Sequence, residues 1–247
     1  MSLSRVNTEL RCLVEDLIVQ TARQNLEPGL LDGKMGVAIT LFVCGRALQR
    51  RAITILAEKI LNNVLANLRR GFSTCFASGF SGIVWGIDFL IEHGYIHGTS
   101  SHICSELTKA TVSVTPSRLD LSLEYGIRGL LHHILAHLKQ NSSSPFESNF
   151  LQEVYNHVLC ISKTTKEEDL LVLCNAFIHF YEESRLEYTC SLQYLLSSMD
   201  ETSMLCNPKD LSIQTGISGK ILKVLNHIYE GDSISIVCKD LIHNRPM

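Results

Sequence analysis

A short phrase recurs along this chain at a nearly fixed interval: Gly-x-x-Gly, followed by an apolar stretch of helical character. It reads GKMGVAITLF from Gly33, GFSGIVWGIDFLI from Gly79, GIRGLLHHILAHL from Gly126 and GISGKILKVLNHI from Gly216. The first glycines are spaced by 46, 47 and 90 residues, so one copy is missing near residue 171. There LVLCNAFIHFY puts Leu171 and Cys174 at the two glycine positions and keeps the apolar pattern. The spacing predicts five repeats of about 45 residues, the fourth degenerate. Two copies share more than glycine: DLSLEYGIRG from Asp120 matches DLSIQTGISG from Asp210 without a gap.

Between the glycine helices lie second amphipathic segments. Ile53, Leu56, Ile60, Val64 and Leu68 recur at helical spacing in AITILAEKILNNVLANL, and Phe146, Phe150, Leu151, Val154, Val158 and Leu159 do so in the third repeat. Loops are expected at Arg70–Ser73 and over Gln140–Pro145, which is rich in turn residues. Strand-period alternation is scarce, so each repeat is a helical hairpin and the chain is all-α. Two architectures have this period, an open solenoid and an α/α toroid. Glycine favours the toroid, partial or open: a pair where each loop enters an inner helix lets neighbouring loop backbones approach closely at a narrow end. The expectation is one domain, residues 1–247, of about five hairpins. Gly33, Gly36, Gly79, Gly82, Gly126, Gly129, Gly216 and Gly219 are its structural glycines.

Composition excludes several function classes. Net charge is −3 and no basic field points to nucleic acid. No apolar run reaches membrane-spanning length, and the first residues interleave charge with apolar residues where a signal peptide would have an apolar core. The protein is expected in the cytoplasm. Nine cysteines at 12, 44, 75, 104, 160, 174, 190, 206 and 238 form no C-x-x-C pair and read as reduced and buried. His133 and His137, with His132 beside them, have the i, i+4 spacing of a metal grip, but no carboxylate or cysteine adjoins to complete a set, so they read as partly buried polar residues. His93 and His97 share the spacing, yet Gly94 and Gly98 predict a helix end and a turn there. Cys174 and His179, on different helix faces, are assigned to the core.

The phased Gly-x-x-G helices, with SGFSGIVWGIDFLIEHGYI and DLSLEYGIRGLLHHILAHL, resemble the lanthionine synthetase C-like (LanC-like) proteins from about residue 28 to 229, and the phrase around Trp85 is similar to members from Bacteroides-type bacteria. The resemblance implies an α/α toroid. It also implies a zinc ion that activates a cysteine thiolate for addition to a dehydrated serine or threonine, closing a thioether ring in a peptide. That family holds zinc with two cysteines and a histidine, in Trp-Cys-x-Gly and Cys-His-Gly motifs just before late-repeat glycines. Here the residues before the first glycines are Leu31–Asp32, Ala77–Ser78, Glu124–Tyr125 and Gln214–Thr215, with Asp169–Leu170 in the degenerate repeat. None supplies the N/S donors zinc needs. The acid/base histidine, directly before a glycine pair, is replaced by Asp32, Ser78, Tyr125 or Thr215. A family aspartate four residues before a glycine faces Gly29, Cys75, Ser122 and Ser212, while Asp120 and Asp210 fall two positions away. The resemblance carries the fold and not the catalytic set: no metal and no cofactor is expected, and a pseudoenzyme is the candidate.

Lys34, Arg128 and Lys220 lie within or just after three glycine pairs. Inner helices starting at one rim would focus positive potential there, and these side chains would add to it. Such a rim is a candidate site for a carboxylate or an acidic peptide, with Asp32 and Glu124 offsetting the field; the alternative is that the basic side chains simply point into water. Three functions stay open: a non-catalytic component binding a precursor peptide or a maturation enzyme, a peptide-modifying enzyme with an unrecognised site at the same rim, and a structural helical-repeat scaffold.

Overall fold

Burial separates two kinds of helix along the chain. The computed structural model describes residues 3–68, 72–100, 104, 109, 111–141, 146–197 and 209–228. Helix α2 (Lys34–Ala47) buries every residue from Met35 to Gly45, and α4 (Phe80–Glu92) every residue from Phe80 to Leu90. Helix α5 (Ile127–Gln140) buries nearly all of its length. A helix apolar all round has to be surrounded by protein. By contrast α3 (Arg51–Ala66) buries only Ile53, Ala57, Leu61 and Val64, and α6 (Ser148–Thr164) only Phe150, Leu151, Val154, Val158 and Ile161. These are amphipathic helices with one apolar stripe. In α3 the buried stripe is rotated from the expected one, so Leu56, Ile60 and Leu68 are half-buried.

The other helices are α1 (Leu3–Arg23), α7 (Glu168–Glu183), α8 (Leu192–Ser197) and α9 (Ile217–Ile228), with a 3-10 turn at Pro116–Arg118. Among the described residues every regular element is helical, no strand occurs, and no helix is long and apolar enough to cross a membrane. The chain divides into two compact units. The first takes α1, α2 and α3, the turn His93–Tyr95, and α8 and α9 from the other end of the sequence; α2 packs on α3, and α9 packs on both α1 and α2. The second takes α4, α5, α6 and α7, with α5 packed on α4 and α7, and α6 on α7.

The helix end expected after α4 is present: it stops at Glu92, and Gly94 and Gly98 take positive φ. The expected loop at Ser73 is present; Arg70 and residues 142–145 of the other loop lie outside the described residues, and Gln140 is still helical. Four of the seven described cysteines, Cys44, Cys104, Cys174 and Cys190, are buried as expected. Cys12 and Cys160 are exposed instead, each on the solvent side of an amphipathic helix, and Cys75 is intermediate. Cys206 and Cys238 lie outside the described residues. His179 is exposed rather than in the core, because α7 turns only Leu170, Leu173, Cys174, Ala176 and Phe177 inward.

Candidate functional site

Every glycine copy builds the same lead-in loop. In each, the amide just after the first glycine returns to a carbonyl seven residues back: Lys34 to Glu27 (2.7 Å), Phe80 to Ser73 (2.8 Å), Ile127 to Asp120 (2.8 Å) and Ile217 to Asp210 (2.9 Å). The loop is thereby folded against the start of its helix. A Cβ on Gly126 would stand 2.4 Å from the Asp120 carbonyl oxygen and 2.6 Å from the Ser122 amide nitrogen, inside any tolerable contact. Gly33 and Gly126 have φ of −135° and −103°, open to any residue. Glycine is needed here for space and not for its dihedral freedom.

The Asp-Leu-Ser phrase shapes the loop itself. Asp120 Oδ1 accepts the Ser122 amide at 2.9 Å, and Asp210 Oδ1 the Ser212 amide at 2.9 Å; the serine hydroxyls then accept from the Tyr125 and Thr215 amides. These are side-chain mimics of a backbone turn. Hydrogen bonds from the Ser122 hydroxyl and amide hold the Asp120 carboxyl below its ordinary range. Desolvation pushes Asp210 the other way, but bonds from Thr215 and Ser212 outweigh it and hold this carboxyl low as well.

Neighbouring copies join in a fixed register. In the second unit the amides of Phe76 and Ala77 donate to Glu124 O at 2.9 and 3.1 Å; in the first, Ile213 donates to Leu31 O at 2.7 Å. Phe76 and Ile213 are both three residues before their glycine, and Glu124 and Leu31 both two before theirs. Side chains repeat the match: a Cβ on Gly129 would meet Phe76, and one on Gly36 would meet Ile213. The second glycine of a pair is thus a slot for an apolar residue of the preceding copy. Copy five meets copy one as copy two meets copy three.

The fourth copy departs for a physical reason. Thr165 still accepts the Glu167 amide, at the position where Asp120 accepts Ser122. The next four residues are then wound into helix, so α7 begins at Glu168, one turn earlier than its counterparts. With those residues wound into helix, no lead-in loop folds against positions 171 and 174, where Leu171 and Cys174 stand in place of glycine. Cys174 is buried, which pushes its thiol up to about 11 despite the nearby Arg128.

The proposed rim residues fall in both units. In the first, Lys34 Nζ donates to Asn63 Oδ1 at 2.9 Å, and Lys220 Nζ lies 3.5 Å from Glu9, both near the surface. Asp32 is exposed, yet partial desolvation, opposed by a backbone hydrogen bond and helped slightly by the charge of Asp210, holds its carboxyl above the usual range. In the second unit Arg128 pairs with Glu167, its side chain only 12 % exposed and its Nε buried without a partner. Arg128 therefore does not point into water. Glu124 contributes its backbone carbonyl to the register above.

A buried polar cluster in the second unit was not expected from the sequence. Asp88 and His137 are fully buried, with His137 Nδ1 3.0 Å from Asp88 Oδ2 and also 3.0 Å from Ser100 Oγ. Burial raises the Asp88 carboxyl, opposed by its bonds with His137 and Ser100. Serine and aspartate share one ring nitrogen, so the three do not form a relay in which histidine passes a proton between its two sides. Next to it, Trp85 Nε1 donates to Tyr188 Oη (3.0 Å), which lies 2.8 Å from His132 Nδ1. Burial and then Arg128 depress His132 to about 3, so it is neutral, and the tyrosine proton satisfies its Nδ1. His133 is fully buried against His137 and Phe146 with neither ring nitrogen partnered. His133 and His137 are thus wholly rather than partly buried. The sequence signal for this cluster was Asp88 itself, a lone charge inside GIVWGIDFLI.

The zinc that the LanC-like resemblance implies does not fit. Directly before the glycines the Ser78 hydroxyl is bonded to Cys75 and the Thr215 hydroxyl to Asp210, Tyr125 is exposed, and among the described residues no group of three His, Cys, Asp or Glu is placed to hold a metal ion. No protein-family model matches the chain, and no curated protein matches it significantly.

Proposed function

We propose that the chain is a LanC-like α/α toroid acting in the cytoplasm as a zinc-free, non-cyclising component that binds a precursor peptide or a maturation enzyme. One observation carries this reading: the loop positions where a cyclase keeps its donors are here occupied by residues that build the loops. The side chains of Ser122, Ser212 and Thr215 are spent on turn hydrogen bonds. The shared register of copies two–three and five–one supports a cyclic order of hairpins, as a toroid requires. The test is incubation with a dehydrated, cysteine-containing precursor peptide, binding being followed by anisotropy and free thiols counted by alkylation and mass spectrometry. Ring closure leaves mass unchanged but consumes a thiol. Binding with an unchanged thiol count is expected; loss of a thiol, or no binding, refutes the proposal.

A further inference from the structure

Helix α5 carries three histidines into the core of the second unit: His132 is 1 % exposed, and His133 and His137 are 0 %. His137 has a carboxylate to hold a positive charge, Asp88 at 3.0 Å. His133 has none, since it lies against His137 and Phe146 with neither ring nitrogen partnered. At His132 the Nδ1 atom takes the proton of Tyr188 Oη, which itself accepts from Trp85 Nε1. A second proton on His132 would displace that of the tyrosine, and Arg128, one turn earlier on the same helix, adds a like charge. Both imidazoles are therefore built into the fold in their neutral form, and a charge on either would be desolvated beside Arg128 or His137.

The geometry points to an acid-sensitive core in the second unit: in mildly acid solution, protonation of His132 and His133 opens the packing of α4 and α5 around them while α2 and α3 of the first unit stay folded. Burial holds both imidazoles below the ordinary histidine range, His132 at about 3. Their contribution to stability is thus whole above the unfolded value of about 6.5 and is lost as pH falls below it. His132 alone then lowers the folding equilibrium about thirtyfold between pH 8 and pH 5, and His133 acts in the same direction. The surrounding groups are Asp88 and Glu92 from α4, Arg128 and Lys139 on α5 itself, Ser100, Cys104, Cys174 from α7, and Tyr188 and Cys190. The cysteines and Tyr188 are raised by burial and stay neutral across this window, and Lys139 pairs with Glu92. Asp88, raised by burial, takes up a proton in the folded state and acts in the opposite sense, so variants that leave it in place isolate the histidines.

Trp85, the single tryptophan of the chain, is buried in this core and bonded to Tyr188, so its fluorescence reads the second unit. Urea melts followed by Trp85 should give a folding equilibrium that falls from pH 8 to pH 5. His132→Gln, which keeps an acceptor for the tyrosine proton, should lessen that fall about thirtyfold, and adding His133→Leu should lessen it further. His179→Gln, on the exposed side of α7, should leave it unchanged. In the unaltered folded protein, two imidazole NMR resonances should keep their neutral shifts down to pH 5, whatever the variants do. Hydrogen-exchange protection, corrected for the intrinsic rate, should fall at pH 5 in α4 and α5 and hold in α2 and α3. Parallel pH profiles in the unaltered protein and the double variant, or all ten histidines titrating near pH 6.5, overturn the inference. Equal loss of protection in α2 and α3 overturns the local opening.

Discussion

Gly129→Ala sets two physical effects of opposite sign against each other. Gly129 is inside α5, where replacing glycine by alanine ordinarily gains about 1 kcal/mol of helix propensity. The new Cβ, however, would stand 2.2 Å from Leu123 O, 2.4 Å from Phe76 Cβ and 2.9 Å from Phe76 Cγ. Two of those atoms belong to backbone or to the root of a side chain that is 1 % exposed, so none can swing away. Overpacking of a tight core costs about 1–3 kcal/mol, and a clash that the backbone itself must relieve belongs at or above the top of that range. The net expectation is a loss of about 2–3 kcal/mol, read from urea melts by far-UV circular dichroism as a lower midpoint at unchanged slope. Gly36→Ala should lose less, because two of its three close contacts are outer atoms of the Ile213 side chain at 3.0 Å. Cys174→Ala, at the same register in the wound copy, should lose about 1 kcal/mol or less. An unchanged or raised midpoint for Gly129→Ala would refute the slot argument.

Other consequences concern the buried polar groups and the loop carboxylates. His133→Leu should raise the urea midpoint by the equivalent of about 1–3 kcal/mol, since it removes a buried imidazole whose two nitrogens are unpartnered; a lower midpoint would show that the imidazole has a structural partner. Asp88→Ala should cost about 3 kcal/mol by stripping His137 of its carboxylate inside the core, and a cost under about 1 kcal/mol would contradict the pairing. The folded Asp210 carboxyl is held below its unfolded value, so its stabilisation is present above about pH 4 and fades as pH falls through the folded value. Asp210→Asn should flatten that acid limb of the stability profile; parallel profiles would refute it.

The helical class and four helix starts were legible because the glycines mark one structural position repeatedly: Gly33, Gly79, Gly126 and Gly216 each stand one residue before a helix, and the apolar pattern at Leu171 lies in a helix as well. The spacing could not show why the copy at Leu171 is degenerate, since the extra turn of α7 follows from the absence of a loop and not from any one residue. Arg128 reads in sequence as a surface cation, but its neighbour is Glu167, 39 residues away, and pairing at that separation is set by packing. The same holds for Asp88, Ser100 and His137, which no motif joins. Tyr188 stands outside any periodic segment, so its bond to Trp85 carried no sequence signal.

Zinc content is the most direct measurement. Protein purified without added metal and dialysed against chelator-free buffer should, by inductively coupled plasma mass spectrometry, carry far less than one zinc per chain, because no cysteine or histidine stands directly before any of the four glycine pairs. A stoichiometric zinc ion retained through dialysis would contradict the account, and its loss in a His133→Leu or His137→Leu variant would place the metal in the buried cluster of the second unit.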